Sequence, residues 1–211
     1  MPLRAFLSTT GLALAFLAFA EAVPARGAPV EDGGRIAVQA GWHYTLNGRF
    51  AELAGAAGHP LDHPSAGGPA VMAVFAYRPT LELEISLEFG YSHERFAFRD
   101  TALELTTLPL AVAARYALVV GPITPYLGGG VGYFLNFVSA SPVGSLESHG
   151  AGPMVIAGAS FDVGERIALV AEYRIAFARV SIPGLAPLQT GGNWFLLGAQ
   201  ISFAPEEKRL P

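Results

Sequence analysis

Leu81-Glu82-Leu83-Glu84-Ile85-Ser86-Leu87-Glu88-Phe89-Gly90-Tyr91-Ser92 alternates without exception between two parities. Leu81, Leu83, Ile85, Leu87, Phe89 and Tyr91 share one; Glu82, Glu84, Ser86, Glu88, Gly90 and Ser92 share the other. Successive side chains of a strand point to opposite faces, so this stretch is a strand with one apolar and one acidic, polar face. A helix would spread the glutamates around its circumference. The period returns at Ile167, Leu169, Ala171, Tyr173, Ile175 and Phe177, with Glu172 and Arg174 on the opposite parity. A soluble sandwich also alternates, so the whole chain must decide which face meets what.

Apolar residues make up 52% of the chain and charged ones only 14%, against a usual quarter. There is little charge available to coat a water-facing surface. The 25 glycines and 16 prolines supply turns and close backbone approaches, which suits strands. A net charge of -4 without a basic stripe argues against a nucleic-acid partner. With no cysteine, a disulfide framework, a cysteine nucleophile and thiolate metal sites are excluded. A length of 211 residues suits one domain.

The N-terminus reads as a secretory signal: Arg4 precedes the apolar run from Gly11 to Ala20, which is short for a spanning helix. Residues 1–22 are expected to be removed, with cleavage near 20–28. No cysteine follows to carry a lipid anchor. Beyond residue 30 the longest nearly uncharged stretch, 116–146, is broken by Pro122, Pro125 and Pro142. An exported, apolar chain without spanning helices points to a closed barrel, which can also satisfy its backbone in lipid.

Eight strand-like segments fall at roughly 35–44, 70–78, 81–92, 103–116, 124–138, 150–161, 166–178 and 192–203. Each has the length of a tilted membrane-crossing strand. Connectors alternate between short (78–81, 117–123, 162–165) and long (45–69, 93–102, 139–149, 179–191). Short turns are periplasmic and long loops external in outer-membrane barrels. The first turn is expected to hold three residues, pairing Arg78 with Glu82 or Tyr77 with Leu81 and so preserving parity. The fourth segment changes parity between Leu103 and Leu105 on one side and Leu108, Leu110 and Val112 on the other. A bulge near Thr106–Pro109 would explain it, as would assigning its first part to the loop.

In the last segment Phe195, Leu197, Ala199, Ile201 and Phe203 share the outward parity. Here the chain resembles bacterial outer-membrane β-barrel proteins, whose terminal assembly signal spaces a glycine and hydrophobic residues before an aromatic. Gly198, Ile201 and Phe203 match that signal; Leu196 stands at its polar opening position, and residues 204–211 run past the usual terminal aromatic. Pro125 through Gly132 (PYLGGGVG) and Leu108 through Tyr116 are also similar to motifs of the small OmpA-like barrels. The resemblance covers residues 34–203. It implies an all-β, eight-stranded antiparallel up-and-down transmembrane barrel, followed by a periplasmic tail at 204–211. It further implies a multi-pass protein of the cell outer membrane, with external long loops and periplasmic termini. Outer-membrane lipid, lipopolysaccharide and the barrel-assembly machinery would be its partners, and it would be a monomer.

The inward parity collects Arg35, Gln39, His43, Arg78, Glu82, Glu84, Glu88, Arg115, Glu172, Arg174 and Gln200. An eight-stranded barrel is narrow enough for side chains to fill. Arg35, Arg78, Glu82, Glu84, Glu88, Arg115, Glu172 and Arg174 are therefore expected to form a paired, lumen-closing network. A charged, water-filled path is the other reading. Gly128, Gly130 and Gly132 share the inward parity and would make room for large side chains opposite. Tyr44, Trp42, Tyr77, Phe89, Tyr91, Tyr116, Tyr126, Tyr133, Phe137, Tyr173 and Phe177 are read as interfacial aromatics.

Ser92, His93 and Glu94 carry a nucleophile, a base and an acid, and some outer-membrane barrels deacylate lipid A with such residues. Strand neighbours point to opposite faces, so these three cannot meet directly. His59, Asp62 and His63 could supply two imidazoles and a carboxylate, but a solvated loop is the simpler account. The expected protein is thus a non-enzymatic outer-membrane barrel with a structural or surface-contact role, without metal or cofactor. The alternatives are a small-solute channel resembling the OmpW-type barrels, a lipid A-modifying enzyme, and a soluble lipocalin-like barrel with its apolar parity inside.

Overall fold

The computed structural model describes residues 33–45, 67–97, 102–119, 122–140, 144–164, 166–180 and 188–203. The expected signal segment at 1–22, the expected tail at 204–211, and His59, Asp62 and His63 lie outside these residues. The strands are β1 (Gly33–Tyr44), β2 (Gly68–Arg78), β3 (Leu83–Ala97), β4 (Ala102–Ala117), β5 (Ile123–Ala140), β6 (Gly144–Asp162), β7 (Ile167–Ala176), β8 (Arg179–Val180), β9 (Leu188–Gln189) and β10 (Gly192–Phe203). Eight of them close into an antiparallel barrel in the cyclic order β1-β10-β7-β6-β5-β4-β3-β2, while β8 and β9 pair with each other. Sequence neighbours are barrel neighbours everywhere, and β10 returns to β1 through pairs from Gly34↔Phe203 to Tyr44↔Asn193.

The barrel is inside out relative to a soluble one. Along β3, Ile85 (47%), Leu87 (42%) and Phe89 (45%) are exposed on the outer wall. Glu84 (2%) and Glu88 (0%) point into the lumen. A lipocalin-like barrel requires the reverse, and that alternative is set aside. The outward apolar row from Leu83 to Tyr91 covers nine residues. At about 3.3 Å per residue and a tilt of about 40° it spans roughly 23 Å of depth, close to the apolar band of a membrane barrel. Among the described residues no helix is long and apolar enough to cross a membrane.

Four expectations are corrected. The first turn is longer than three residues: Tyr77 pairs with Ile85 rather than Leu81, a shift by an even number of residues that keeps parity and brings Glu84 rather than Glu82 to Arg78. There is no bulge in β4 and its first part is not loop. The pairs Phe89↔Leu110 and Ser92↔Thr107 advance by equal steps on both strands, so Leu105 simply faces the lumen, 1% exposed. Pro109, lacking a donor, interrupts the ladder with β3 without shifting it. Gly90 leaves the space into which the Pro109 and Met72 side chains fit. Third, much of the expected loops 93–102 and 139–149 is strand, because β3–β4 and β5–β6 continue outward as longer hairpins. Fourth, the connector 179–191 carries the small β8–β9 ladder.

The seam that closes the barrel explains one residue of the terminal motif. Gly198 lies opposite Gln39. A Cβ there would fall on the Val38 carbonyl oxygen and come within 2.7 Å of Gln39 Cα. Only glycine permits this approach of β10 to β1.

Candidate functional site

The lumen is the site that the fold builds. Glu88 accepts from Arg115 at 2.5 Å and from Arg174 at 2.5 Å. Glu172 accepts from Arg115 at 3.1 Å and is in direct contact with Arg174. The four side chains form a closed ring of alternating charge. Its members come from β3, β4 and β7, and β3 and β7 stand at opposite points of the eight-strand circle. The Arg174–Glu88 pair therefore crosses the full width of the lumen. Tyr126 donates its hydroxyl to Glu172 at 2.9 Å, and Arg115 lies 5.7 Å from the centre of the Tyr126 ring. Ser86 accepts from Arg115 at 2.6 Å and donates to Glu88 at 2.8 Å.

A third carboxylate, Glu84, extends the network toward the short-turn end. It contacts Arg35, lies 3.2 Å from Arg78 and 3.5 Å from Arg115. Arg35 also donates to Gln200. Seven of the eight expected residues meet in this way; Glu82 does not. It sits in the first turn and is exposed, because that turn is longer than expected. Four guanidiniums thus face three carboxylates here. At the rim Arg78 also interacts electrostatically with Asp162 at the end of β6.

Above the ring the lumen is filled by Met72 (3%), Phe134 (2%), Met154 (3%), Leu196 (1%) and Trp194 (1%). Gly132 makes room for Phe134, whose ring lies where a Cβ would stand. Gly128 does the same for Arg115. Tyr126 belongs to this interior rather than to an outer aromatic belt, being 8% exposed. Its parity with Gly128, Gly130 and Gly132 is the signal that could have placed it. Trp42, Tyr77, Phe89, Tyr91, Tyr116, Tyr133, Phe137, Tyr173 and Phe177 lie on the outer wall.

At the long-loop end, Ser92 and Glu94 continue the inward parity of β3 and meet a histidine from another strand. His43 Nδ1 lies 2.9 Å from Ser92 Oγ and 3.1 Å from Glu94 Oε1. Thr45 donates to Glu94 at 2.6 Å. His93 points outward to Thr106, at 3.1 Å. The serine, histidine and acid do not make a hydrolytic triad. Such a triad needs the serine on one ring nitrogen and the acid on the other. Here both sit on Nδ1, while Nε2 donates to the Gly191 carbonyl at 2.6 Å. His43, Ser92 and Glu94 are also 0–1% exposed, with no room for an ester. Among the described residues no group of three acidic or imidazole side chains could hold a metal ion.

A closed eight-stranded antiparallel barrel with apolar residues outside and ionic pairs inside is the fold of the outer-membrane transmembrane β-barrels. Solved structures of that class share it. Neisserial surface protein A superposes with a TM-score of 0.51 at 17% identity, covering 81% of this chain and 97% of that one. The N-terminal β-barrel domain of Pseudomonas aeruginosa OprF gives 0.51 at 15% identity, covering 82% and 98%. The outer membrane protein OprG of the same organism gives 0.52 at 11% identity, covering 84% and 100%. At such identities the likeness is one of fold. No protein-family model and no curated protein matches the chain.

Proposed function

We propose that this chain is a non-enzymatic outer-membrane protein, inserted with its long connectors outside the cell and its termini in the periplasm. Its lumen is closed, and its role is structural or carried by the outer ends of its hairpins. The observation that carries the reading is the pairing of the two faces: an apolar outer wall suited to lipid, around a lumen crossed by a ring of buried, paired charges. Lipid and lipopolysaccharide are the surroundings this wall fits, and a closed barrel without an unpaired seam suits a monomer. Enzymatic lipid modification finds no support in the His43 cluster, and solute passage none in the packed interior. Cell fractionation with heat-modifiable gel migration tests the location. Planar-bilayer recording tests the closure: no steady conductance is expected, and a large ohmic conductance from the unmodified protein would put an open pore in place of the plug.

The terminal residues fit a role in delivery to the barrel-assembly machinery. Ile201 and Phe203 end β10 on the outward parity, and Phe203 is exposed. Gly198 has a packing duty of its own at the seam, so it cannot separate recognition from folding. Phe203→Ala can, because it removes no lumen contact. Phe203→Ala is expected to lower the membrane-inserted fraction in cells, yet to leave refolding in detergent nearly unchanged. A truncation after Phe203 should insert normally. Loss of insertion on truncation alone would place the signal in the tail.

A further inference from the structure

The outer wall is not evenly convex. Near its short-turn end a groove of about 560 Å³ crosses β1, β2 and β3. Gly34 opens it. This residue stands on the outward parity of β1, opposite Phe203 on β10 and Tyr77 on β2. Both neighbouring strands carry an aromatic ring at this level, and β1 carries no side chain. A Cβ at Gly34 would meet no atom closer than the Ala76 carbonyl oxygen, at 3.9 Å. Among the described residues nothing fills the gap, unlike the spaces at Gly128 and Gly132, which Arg115 and Phe134 take.

The next outward row bounds the groove further up the wall: Ile36 pairs with Phe75, Phe75 with Leu87, and Leu87 with Val112. Phe89 meets the Phe75 ring edge-on, with centres 6.2 Å apart, so this side is shaped in advance. Arg35 and Ser86 border the groove from the lumen parity only. Their polar ends are engaged inside, by Glu84 and by Arg115 and Glu88. Apart from the Tyr77 hydroxyl, no polar side-chain atom stands on the outward parity here. An occupant must therefore be apolar along its length.

The groove is continuous with the lipid-facing wall, so hydrocarbon is what reaches it. Inside a bilayer the removal of apolar surface from water is no longer a driving force, and packing decides what stays. A chain on the open wall touches protein on one side, whereas a chain in the groove is touched on several. Each such contact is weak, but a chain makes dozens. A methylene takes up about as much space as a water molecule in the liquid, roughly 30 Å³. The groove thus has room for one chain of about sixteen to eighteen carbons, and not for two.

We propose that this groove retains one acyl chain of a phospholipid in the periplasmic leaflet. That an acyl chain is held rests on the groove itself. The leaflet, and with it phospholipid rather than lipopolysaccharide, rests on the orientation proposed above, which puts the short turns in the periplasm. Gly34 is then the residue that admits the chain, since a larger side chain would stand in its place.

Gly34→Leu is the test, because the new side chain has room to enter the groove without disturbing the barrel. Ala171→Leu, at an exposed outward position of β7, adds comparable bulk to the wall outside the groove. Each protein is extracted from outer membranes in mild detergent, and its retained lipid is counted by native mass spectrometry. One phospholipid per barrel is expected for the unmodified protein and for Ala171→Leu, and about tenfold less for Gly34→Leu. After delipidation, palmitoyl lysophosphatidylethanolamine, which has a single chain, should rebind to the unmodified protein at one per barrel and not to Gly34→Leu. Heat-modifiable migration confirms that each variant is a folded barrel. Retention that is absent from the unmodified protein, survives Gly34→Leu or falls equally in Ala171→Leu would overturn the groove as a lipid site, as would failure of the single-chain lipid to rebind. These outcomes leave the orientation of the barrel untouched. If Gly34→Leu instead loses lipopolysaccharide, the phospholipid assignment falls together with that orientation.

Discussion

Arg115→Ala is expected to be among the most damaging substitutions in the lumen, lowering stability by about 3–5 kcal/mol. The guanidinium reaches Glu84, Glu88 and Glu172 at 3.5, 2.5 and 3.1 Å. It is 1% exposed, so alanine leaves three buried carboxylates short of a partner and little water to replace it. The ring geometry makes the loss non-additive. Glu88 would retain Arg174, and Glu172 would retain Arg174 and the Tyr126 hydroxyl, but Arg174 cannot neutralise both. Adding Glu88→Gln to Arg115→Ala should therefore recover part of the loss, with a coupling of about 1–3 kcal/mol. Reversible unfolding in detergent or bilayers reads both quantities. A cost under about 1 kcal/mol would mean that the charges are solvated, as in an open path.

The fold was legible in the chain because inward and outward parities carry different chemistry here. Glutamates and arginines on one parity and aliphatics on the other mark the two faces of β3 and β7 before any pairing is known. The last strand, 192–203, is delimited as the sequence suggests, since Gly192 and Phe203 bound an uninterrupted alternation. Strand length was less legible. The outer parts of β3–β6 contain glycine, serine and charged residues, because they rise beyond the apolar band and need no lipid-facing code. The bulge inferred for β4 arose from Leu105, an apolar residue on the lumen parity. Above the ionic ring the lumen is itself apolar, so hydrophobicity alone does not report a face there.

The ionic ring was half legible. Parity names Glu84, Glu88, Arg115, Glu172 and Arg174 as lumen residues, but not their partners. Pairing across the barrel depends on strand register, and register depends on turn length. A turn longer than expected by an even number of residues keeps parity, moves Glu82 to the rim and brings Glu84 to Arg78. The same limit hid the His43 cluster. Ser92 and Glu94 are on one parity of β3, but their histidine comes from β1. The distance between them is set by Ala70↔Ser92 and Gly41↔Ala70, pairings that no local pattern encodes. His93, adjacent in sequence, is on the wrong face.

The outer wall makes the opposite demand. Ile85→Arg should cost about 2–4 kcal/mol if the site lies near the middle of the apolar band, and less if it lies toward an interface. Ile85 is half exposed at 47%, pairs with Tyr77 and Ala114, and meets no charge on the outer wall. A guanidinium there has no acidic partner, and can only stretch toward the headgroups. Its neighbour Ser86, one residue away, supplies the comparison. Parity alone would make Ser86→Arg the milder change, since it adds a charge to a polar interior. The packing argues otherwise: Ser86 is 3% exposed and held between Arg115 and Glu88. A fifth guanidinium would have to displace one of these, in a network where four arginines already share Glu84, Glu88 and Glu172. Both substitutions are therefore expected to destabilise, and the medium separates their causes. Changing the bilayer's hydrocarbon thickness should alter the cost of Ile85→Arg, because the depth of the charge in lipid sets it. The cost of Ser86→Arg should stay constant, being set by protein packing. If thickness moved the two equally, the outward and inward faces of β3 would not be chemically distinct, and the orientation of the barrel wall would be wrong.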